Sequence, residues 1–211
     1  MEDPLRAGAG DPGLKLIETV LWDGASCPRI AGHLARLSGS AARLGWPCDI
    51  AAARAALTGP PGQPARLRLT LDRAGGIEVT RAALPVSPAE WRLALAPLRL
   101  ASGDPWLRIK TTRRAGYDEA RAAMPDGIEE LILLNERDEV CDGTITTVFF
   151  DRGQGLRTPP LSSGLLAGVL RTELLACGAC REEVLMAADL PLVRLWVGNA
   201  LRGLIPALWR G

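Results

Sequence analysis

The fold assignment depends on the stretch Arg108-Ile109-Lys110-Thr111-Thr112-Arg113-Arg114, which contains one of only two lysines in the sequence. The chain has 25 basic residues, and apart from Lys15 and Lys110 all of them are arginines. A lysine amine can form an imine with an aldehyde, and its pKa can be lowered for proton transfer, which an arginine side chain does not offer. Lys110 is therefore the first candidate for a catalytic residue, whereas Lys15, in a predicted strand, is expected to be an ordinary lysine.

The composition is that of an ordinary globular protein. The chain has 211 residues, of which 47% are hydrophobic, and a formal net charge of +1 with acidic and basic residues interspersed. Such a balance lacks the one-signed patch that nucleic acids and anionic membranes attract, so neither is an expected partner. No run of about 18 apolar residues predicts a membrane helix. The first residues also lack the apolar core of a signal peptide, so we expect a cytoplasmic protein.

Metal and nucleophile chemistry have little support in the sequence. The five cysteines are an odd number without a secretion signal, which favours reduced thiols. Cys177 and Cys180 form a single CxxC pair and His33 is the only histidine, so a closed zinc site has too few ligands and no metal is expected. The sequence has no P-loop, no GxGxxG after a strand and no GxSxG nucleophile elbow.

Hydrophobic periodicity predicts an α+β protein with two lobes. The predicted elements of the first half are a strand at 14–23, helices at 30–44 and 49–57, and a hairpin of strands at 66–71 and 77–80. Those of the second half are a helix at 118–124, strands at 130–135 and 140–150, a helix at 165–177, and short strands at 195–197 and 204–205. Residues 101–106, ASGDPW, are the best linker candidate. The predicted parts are then a flexible leader at 1–13, an N-terminal lobe at 14–102 and a C-terminal lobe at 106–211.

Three features match what a pyridoxal phosphate site needs. Such a site requires a lysine for the Schiff base, a carboxylate that keeps the pyridine nitrogen protonated, and a cradle for a phosphate dianion. Lys110 supplies the amine, and Asp142 lies in the strand-like run 140–147, where a carboxylate among apolar neighbours needs a partner. Gly168-Val169-Leu170-Arg171 is predicted to lie early in a helix, where the first amides are available to an anion.

Taken in order, a series of short motifs resembles the class IV aminotransferases, the fold type IV pyridoxal-phosphate enzymes. The likeness runs from about Leu16 to Leu208 and is closest to the 4-amino-4-deoxychorismate lyase branch of that family. The order and spacing of the motifs make the match specific, although none is decisive alone. The main matching motifs are Leu16-Ile17-Glu18-Thr19, His33-Leu34-Ala35-Arg36-Leu37, Lys110-Thr111-Thr112-Arg113-Arg114, Tyr117-Asp118, Asp142-Gly143-Thr144-Ile145-Thr146, Gly164-Leu165-Leu166-Ala167-Gly168-Val169-Leu170-Arg171 and Gly198-Asn199-Ala200-Leu201-Arg202-Gly203.

The resemblance implies a fold, a cofactor and a phosphate site. The fold would have a small N-terminal sandwich-like lobe and a larger C-terminal lobe with a barrel-like sheet, and the protein would be a homodimer that binds pyridoxal 5'-phosphate and a small-molecule substrate. Arg36 and the backbone amides of Val169 and Leu170 would bind the cofactor phosphate. A second loop, with Asn199 and Ala200, would complete the phosphate cup.

The resemblance also implies residues at the reacting end of the cofactor. Lys110 would hold the cofactor aldehyde, Tyr117 would lie near the phenolic oxygen, and Asp142 would face the pyridine nitrogen. The family usually has glutamate where Asp142 stands, so this carboxylate is one methylene shorter than usual. Glu18 matches a family motif but is expected to be structural.

Three functions remain open at this point. The first is a lyase that converts 4-amino-4-deoxychorismate to 4-aminobenzoate and pyruvate in folate biosynthesis. The second is an aminotransferase acting on branched-chain or D-amino acids with the same lysine and cofactor. The third is a non-catalytic relative that keeps the fold, which Asp142, Thr147 and the short N-terminus support because the family often has other residues or an added strand there.

Overall fold

Contacts within the chain divide it into two compact units. The computed structural model describes residues 4–211. The first unit runs to Val86 and also contains Ile109–Arg113, and the second contains Ser87–Arg108 and Arg114–Gly211. The division differs from the predicted lobes, because residues 91–100 pair with strands of the second unit while the Lys110 segment pairs with a strand of the first.

The first unit is a three-stranded antiparallel sheet with helices. Its strands, in the order β1-β2-β3, are β1 (Leu16–Trp22), β2 (Ala65–Leu71) and β3 (Ile77–Ala83). Its helices are α1 (Pro4–Gly8), α2 (Ile30–Leu44) and α3 (Ile50–Ala56). The alternation predicted in β2 is confirmed, because Leu67, Leu69 and Leu71 are fully buried whereas Arg66 and Arg68 are exposed. The predicted end of α2 at Gly45 is confirmed as well, and its φ of 72° is one that glycine adopts readily.

The segment that carries Lys110 extends the first sheet at the edge of β1. The Ile17 amide donates to the Lys110 carbonyl at 2.9 Å, and the Thr112 amide donates to the Lys15 carbonyl at 2.9 Å. Between them Leu16 and Thr111 form an antiparallel bridge. These backbone bonds place Lys110 with the first unit, although it follows the predicted linker in the sequence.

The predicted flexible leader at 1–13 is only partly correct as a description of this segment. Residues 1–3 lie outside the described residues. Pro4–Gly8 form a helix, and the side chains of Leu5, Ala9 and Leu14 are buried. Burial of these apolar side chains explains why residues that look like a Gly/Pro-rich leader are folded.

The second unit contains an eight-stranded mixed sheet that curls into a half-barrel. The strand order is β6-β5-β4-β11-β10-β7-β8-β9. The strands are β4 (Trp91–Leu100), β5 (Glu130–Asn135), β6 (Val140–Gly143), β7 (Thr147–Asp151), β8 (Arg157–Thr158), β9 (Arg181–Glu182), β10 (Arg194–Asn199) and β11 (Gly203–Trp209). The helices are α4 (Ala115–Ala122) and α5 (Val169–Ala176), with 3₁₀ turns at Pro105–Arg108, Leu161–Ser163 and Ala187–Leu192. The predicted α+β class and barrel-like sheet are confirmed.

Inside the curl, buried side chains from most of the strands form one core. Phe150, Ile132, Leu93 and Val197 are fully buried members of this cluster. On the other side of β7, Phe149 packs with Leu170 of α5 and Cys180. The core therefore fixes α5 against the sheet. In the described part of the chain, none of the helices has the length and apolar character that crossing a bilayer requires.

Replacing Phe150 with alanine should destabilise the second unit by about 3–5 kcal/mol, because it opens a cavity in a fully buried cluster. Urea unfolding followed by tryptophan fluorescence measures the change. The matched control is Val86→Ala, which truncates a fully exposed side chain and should leave the midpoint unchanged. Equal midpoints for the two variants would contradict this description of the core.

Candidate functional site

The two cationic candidates of the first unit are attached to neighbouring residues of β1. Lys110 is held through its backbone carbonyl by the amide of Ile17. Arg36, on α2, is held through its guanidinium by the carboxylate of Glu18. The structure thus attaches Lys110 and Arg36 to neighbouring residues of one strand, which the order of the sequence alone does not show. The strand pairing at this position is made by the Lys110 carbonyl and not by its amine.

Glu18 is a buried carboxylate with two basic neighbours. Its oxygens accept from Arg36 Nε at 2.8 Å and from an Arg36 terminal nitrogen at 2.6 Å, and His33 Nδ1 lies 2.6 Å from Oε2. The side chains of Glu18 and His33 are only 3% and 2% exposed. Burial by itself raises the pKa of Glu18, but Arg36 and then His33 outweigh it and hold that pKa below its ordinary value of 4.5. The structural role of Glu18 is therefore to fix the orientation of the Arg36 guanidinium through two hydrogen bonds.

In the second unit the structure brings Asp142 and Tyr117 together. Asp142, on β6, is 8% exposed, and its Oδ2 accepts from the Leu166 amide at a long 3.4 Å. Tyr117, on α4, has the Arg114 guanidinium 5.6 Å from its ring centre. Burial raises the pKa of the Tyr117 hydroxyl and the nearby Asp142 charge raises it further, so the phenol stays protonated. A protonated phenol beside a carboxylate can donate a hydrogen bond to a ligand oxygen.

The predicted anion cradle lies where α5 begins. Gly168 has extended backbone angles and caps the helix, so Val169 and Leu170 supply its first amides. A Cβ on Gly168 would lie 2.8 Å from the Thr147 hydroxyl oxygen, and one on Gly198 would lie 2.9 Å from a Leu170 methyl and 2.7 Å from the Gly203 carbonyl. Only glycine fits at such separations, so the start of α5 lies against the Thr147 side chain, and the β10–β11 hairpin lies against the Leu170 side chain of α5.

Asn199 shapes the turn between β10 and β11. Its Oδ1 accepts from the amides of Leu201 and Arg202 at 3.1 and 3.0 Å, and its Nδ2 donates to the Ile145 carbonyl at 3.2 Å. The Asn199 side chain is therefore engaged within the protein, and the predicted phosphate contact at Asn199 and Ala200 would have to come from the backbone of the turn. The structure brings Val169, Leu170, Asn199 and Ala200 to one end of the second unit.

These residues fit pyridoxal phosphate in the chemistry that each unit offers. In the second unit, the first turn of α5 and the neighbouring hairpin offer backbone amides of the kind that a phosphate dianion needs, and in the first unit the Arg36 guanidinium offers positive charge. The glycine contacts leave backbone rather than side chain at the start of α5, as an anion cradle requires. An aldehyde needs an amine, which Lys110 supplies, and a protonated pyridine needs a carboxylate, which Asp142 supplies. Within residues 4–211, no group of three or more His, Cys, Asp or Glu side chains could hold a metal ion.

Two acidic residues of the second unit, the partly buried Glu139 and the fully buried Glu130, were missed from the sequence. Glu139 accepts from Arg137, Asn135 and Ser163, and Arg137 is the main cause that lowers the Glu139 pKa to about 2. This network fastens the turn at Leu161–Ser163 to the β5–β6 hairpin. Glu130, at the start of β5, is fully buried and accepts from the turn that follows β6. The available signal was an acidic residue opening the apolar run Glu130-Leu-Ile-Leu-Leu134, where an unpaired charge would be costly.

The sequence matches a known protein family over most of its length. Residues 15–208 match the family described as amino-transferase class IV. The curated chain of Schizosaccharomyces pombe that is provisionally named aminodeoxychorismate lyase is 31% identical over 182 residues, which cover 80% of this chain and 76% of that one.

Solved structures share the fold. A chain of Mesorhizobium loti, provisionally named an amino-acid aminotransferase, is 44% identical with a TM-score of 0.87 over 93% of this chain and 100% of that one. The 4-amino-4-deoxychorismate lyase of Pseudomonas aeruginosa is 25% identical with a TM-score of 0.77, over 92% and 82% of the two chains. A hypothetical aminotransferase of Mycobacterium tuberculosis, solved in its PLP-bound form, is 24% identical with a TM-score of 0.78, over 100% and 85%. These likenesses confirm the predicted fold type.

Replacing Glu18 with glutamine should destabilise the first unit by about 2–3 kcal/mol at pH 7, because it leaves the largely buried Arg36 without its counter-charge. The folded pKa of Glu18 is lowered, so the stability that its charge adds is present above about 4.5 and is lost as the pH falls further. Urea unfolding should therefore show a larger difference between variant and wild type at pH 7 than at pH 3. Glu78→Gln, which breaks an exposed pair with Lys15 in the same sheet, is the control and should have little effect. A difference that is equally large at both pH values would contradict the assigned charge state.

Proposed function

The chain belongs to the class IV amino-transferase family and is an enzyme of that family, and from this premise we propose that it is a pyridoxal-phosphate-dependent lyase. The proposed reaction converts 4-amino-4-deoxychorismate to 4-aminobenzoate and pyruvate, a step of folate biosynthesis. The observation that carries the cofactor chemistry is Lys110, one of two lysines, held by its backbone on β1 beside the strand position that holds Arg36. The relative in Schizosaccharomyces pombe supports the lyase reaction in particular.

When bound, pyridoxal phosphate supplies an aldehyde that condenses with amines and a ring that accepts electrons. In the proposal, the Lys110 amine would hold the cofactor aldehyde. The same amine would take the proton from the substrate carbon that bears nitrogen. The bond between the ring and the enolpyruvyl oxygen breaks as the ring becomes aromatic, and the leaving enolpyruvate takes up a proton to become pyruvate.

The remaining residues bind and orient in this proposal. Arg36, with its fork directed by Glu18, would neutralise phosphate charge from the first unit. In the second unit, the phosphate oxygens would accept from the Val169 and Leu170 amides and from the backbone of Asn199 and Ala200. The position of Val169 and Leu170 at the start of α5 supports this proposal.

Two further residues would act on the cofactor ring. The buried Asp142 carboxylate would favour a protonated pyridine, and the protonated Tyr117 phenol would donate to the phenolic oxygen. Asp142 already accepts a long hydrogen bond from Leu166, so a ligand nitrogen would find its carboxylate held in place. The family resemblance implies a homodimer, and the proposal places the enzyme in the cytoplasm.

An amino-acid aminotransferase is the second candidate, and a specific observation favours it. The Mesorhizobium loti chain, which bears that name, is 44% identical and is covered over its whole length. The same lysine, phosphate donors and ring partners would serve transamination of branched-chain or D-amino acids. The third function considered from the sequence, a non-catalytic relative, is not supported because family membership makes the chain an enzyme.

Lysine 110 should be the site where pyridoxal phosphate attaches. Borohydride reduction of the protein with pyridoxal phosphate should add a pyridoxyl group to Lys110, because only an amine can form the reducible bond. Mass spectrometry should find the label on the tryptic peptide Ile109–Arg113. Lys110→Arg should lose the label and the cofactor absorbance, whereas the matched control Lys15→Arg should keep both. A label retained by Lys110→Arg would remove Lys110 from the proposal.

Product analysis separates the two candidate reactions. Incubation of the enzyme and pyridoxal phosphate with 4-amino-4-deoxychorismate should release pyruvate and 4-aminobenzoate in equal amounts, and Lys110→Arg should lower that rate at least about a thousandfold because its proton carrier is gone. The parallel assay offers branched-chain and D-amino acids with 2-oxoglutarate and measures glutamate. Glutamate formation without pyruvate release would establish the aminotransferase and overturn the lyase.

A further inference from the structure

We propose that Glu130 is a positioning residue for the phosphate-binding end of the second unit, an inference that rests on the proposed function. Glu130 opens β5, and its side chain is fully buried. None of the roles assigned above uses it. A carboxylate removed from water is stable only where several donors surround it, so its partners show what it organises.

The partners of Glu130 are mainly the residues of the turn between β6 and β7. Oε1 accepts from the Thr144 amide at 3.1 Å and from the Thr144 hydroxyl at 2.5 Å. Oε2 accepts from the Ile145 amide at 3.2 Å and from the Thr146 hydroxyl at 2.8 Å. The turn is closed by the Gly143 amide, which donates to the Thr146 carbonyl at 2.7 Å. The chain therefore wraps around one carboxylate.

Two cations complete the surroundings of this turn. Arg121 on α4 donates to Glu130 Oε1 at 3.2 Å and to the Thr144 hydroxyl at 2.8 Å. Arg114 donates to the Thr144 carbonyl at 3.1 Å. Both side chains come from helix α4 or its N-cap, the element that carries Tyr117. Glu130 thus joins that helix to the turn as well.

The turn between β6 and β7 also binds the β10–β11 hairpin, which is proposed to bind the phosphate. The Ile145 carbonyl accepts from Asn199 Nδ2 at 3.2 Å, and the Asn199 Oδ1 organises the amides of Leu201 and Arg202. Ile145 is bound at both ends, because its amide donates to Glu130 and its carbonyl accepts from Asn199. A change in the backbone at Ile145 would move the acceptor for Asn199. The carboxylate therefore acts on the Asn199–Ala200 backbone through one residue of the turn and one side chain.

The same turn meets the start of α5. Thr147 follows the turn directly, and its hydroxyl would lie only 2.8 Å from a Cβ on Gly168, the cap of α5. On the other side of the turn, Asp142 precedes Gly143. A Cβ on Gly143 would lie 2.4 Å from the Thr146 hydroxyl and 2.9 Å from Glu130 Oε2, so this position beside the carboxylate has room only for glycine. Glu130 thus fixes at once the hairpin, the helix start and the strand of Asp142.

Glutamine at position 130 tests this role because it keeps the shape and changes the acceptors. The glutamine amide nitrogen would replace a carboxylate oxygen that accepts from the turn. Two donors would then face each other, and a buried donor of the turn would be left without an acceptor. The experiment measures the dissociation constants of pyridoxal phosphate and of pyridoxal, which lacks the phosphate, by the absorbance of the bound aldehyde. The preference for the phosphate form is the ratio of the two, and the hemiacetal of free pyridoxal affects all variants alike.

We expect Glu130→Gln to weaken pyridoxal phosphate binding at least about tenfold and to leave pyridoxal binding nearly unchanged. The matched control is Glu129→Gln, the same change at the preceding residue, which pairs with Arg92 rather than with the turn. It should keep the wild-type preference. A general loss of structure would weaken both ligands together, so equal losses in Glu130→Gln would overturn the positioning role.

Thr146→Val is the second variant, in case Glu130→Gln does not fold. It removes one donor from Oε2 and keeps the carboxylate, so it should reduce the phosphate preference in the same direction but less. If either folded variant keeps the wild-type preference for pyridoxal phosphate over pyridoxal, the inference is overturned. The proposed function would still stand in that case, because the wild-type protein binds the cofactor. Wild-type protein that binds neither aldehyde would instead overturn the proposed cofactor and, with it, this inference.

Discussion

The backbone pairing between β1 and the Lys110 segment is the constraint on which the rest of the proposed chemistry depends. It joins residues such as Lys15 and Thr112, which are 97 positions apart in the sequence. Peptide groups make these bonds, so the strand holds the lysine without using its amine. Ile17 of β1 binds the Lys110 carbonyl, and the next residue, Glu18, binds Arg36 through its side chain. One strand therefore supports an amine by its backbone and a guanidinium by its side chain.

Elements with a clear period were predicted well, and those set by distant partners were not. The α2 stripe and the β2 alternation each mark a buried face, which local sequence reports directly. β4 was not predicted, because Pro97 lies inside it at a register shift between Leu95 and Arg99, and proline within a run argues against a strand. The start of α5 was placed too early, because Leu165 is fully buried in a loop and continues the apolar spacing.

The candidate site divides in the same way. Lys110, Asp142 and the start of α5 could be proposed because each needs only a residue type in a recognisable local setting. Their roles toward the cofactor remain proposals. Glu130 could not be found in this way, because its importance comes from a turn that begins thirteen positions later, at Gly143. Only the folded chain shows that four donors of this turn meet one carboxylate.

The placement of Ile109–Arg113 has a consequence for dissecting the protein. The chain passes between its two units three times, after Val86, after Arg108 and after Arg113. A fragment that stops at Val86 would contain three strands but would leave the outer edge of β1 without its partner, and open strand edges pair with other chains. The first unit is therefore not a separable module of contiguous sequence. The segment that completes it is a short peptide from the middle of the chain. A fragment would have to recover this peptide before Lys110 and Arg36 could both be attached to β1.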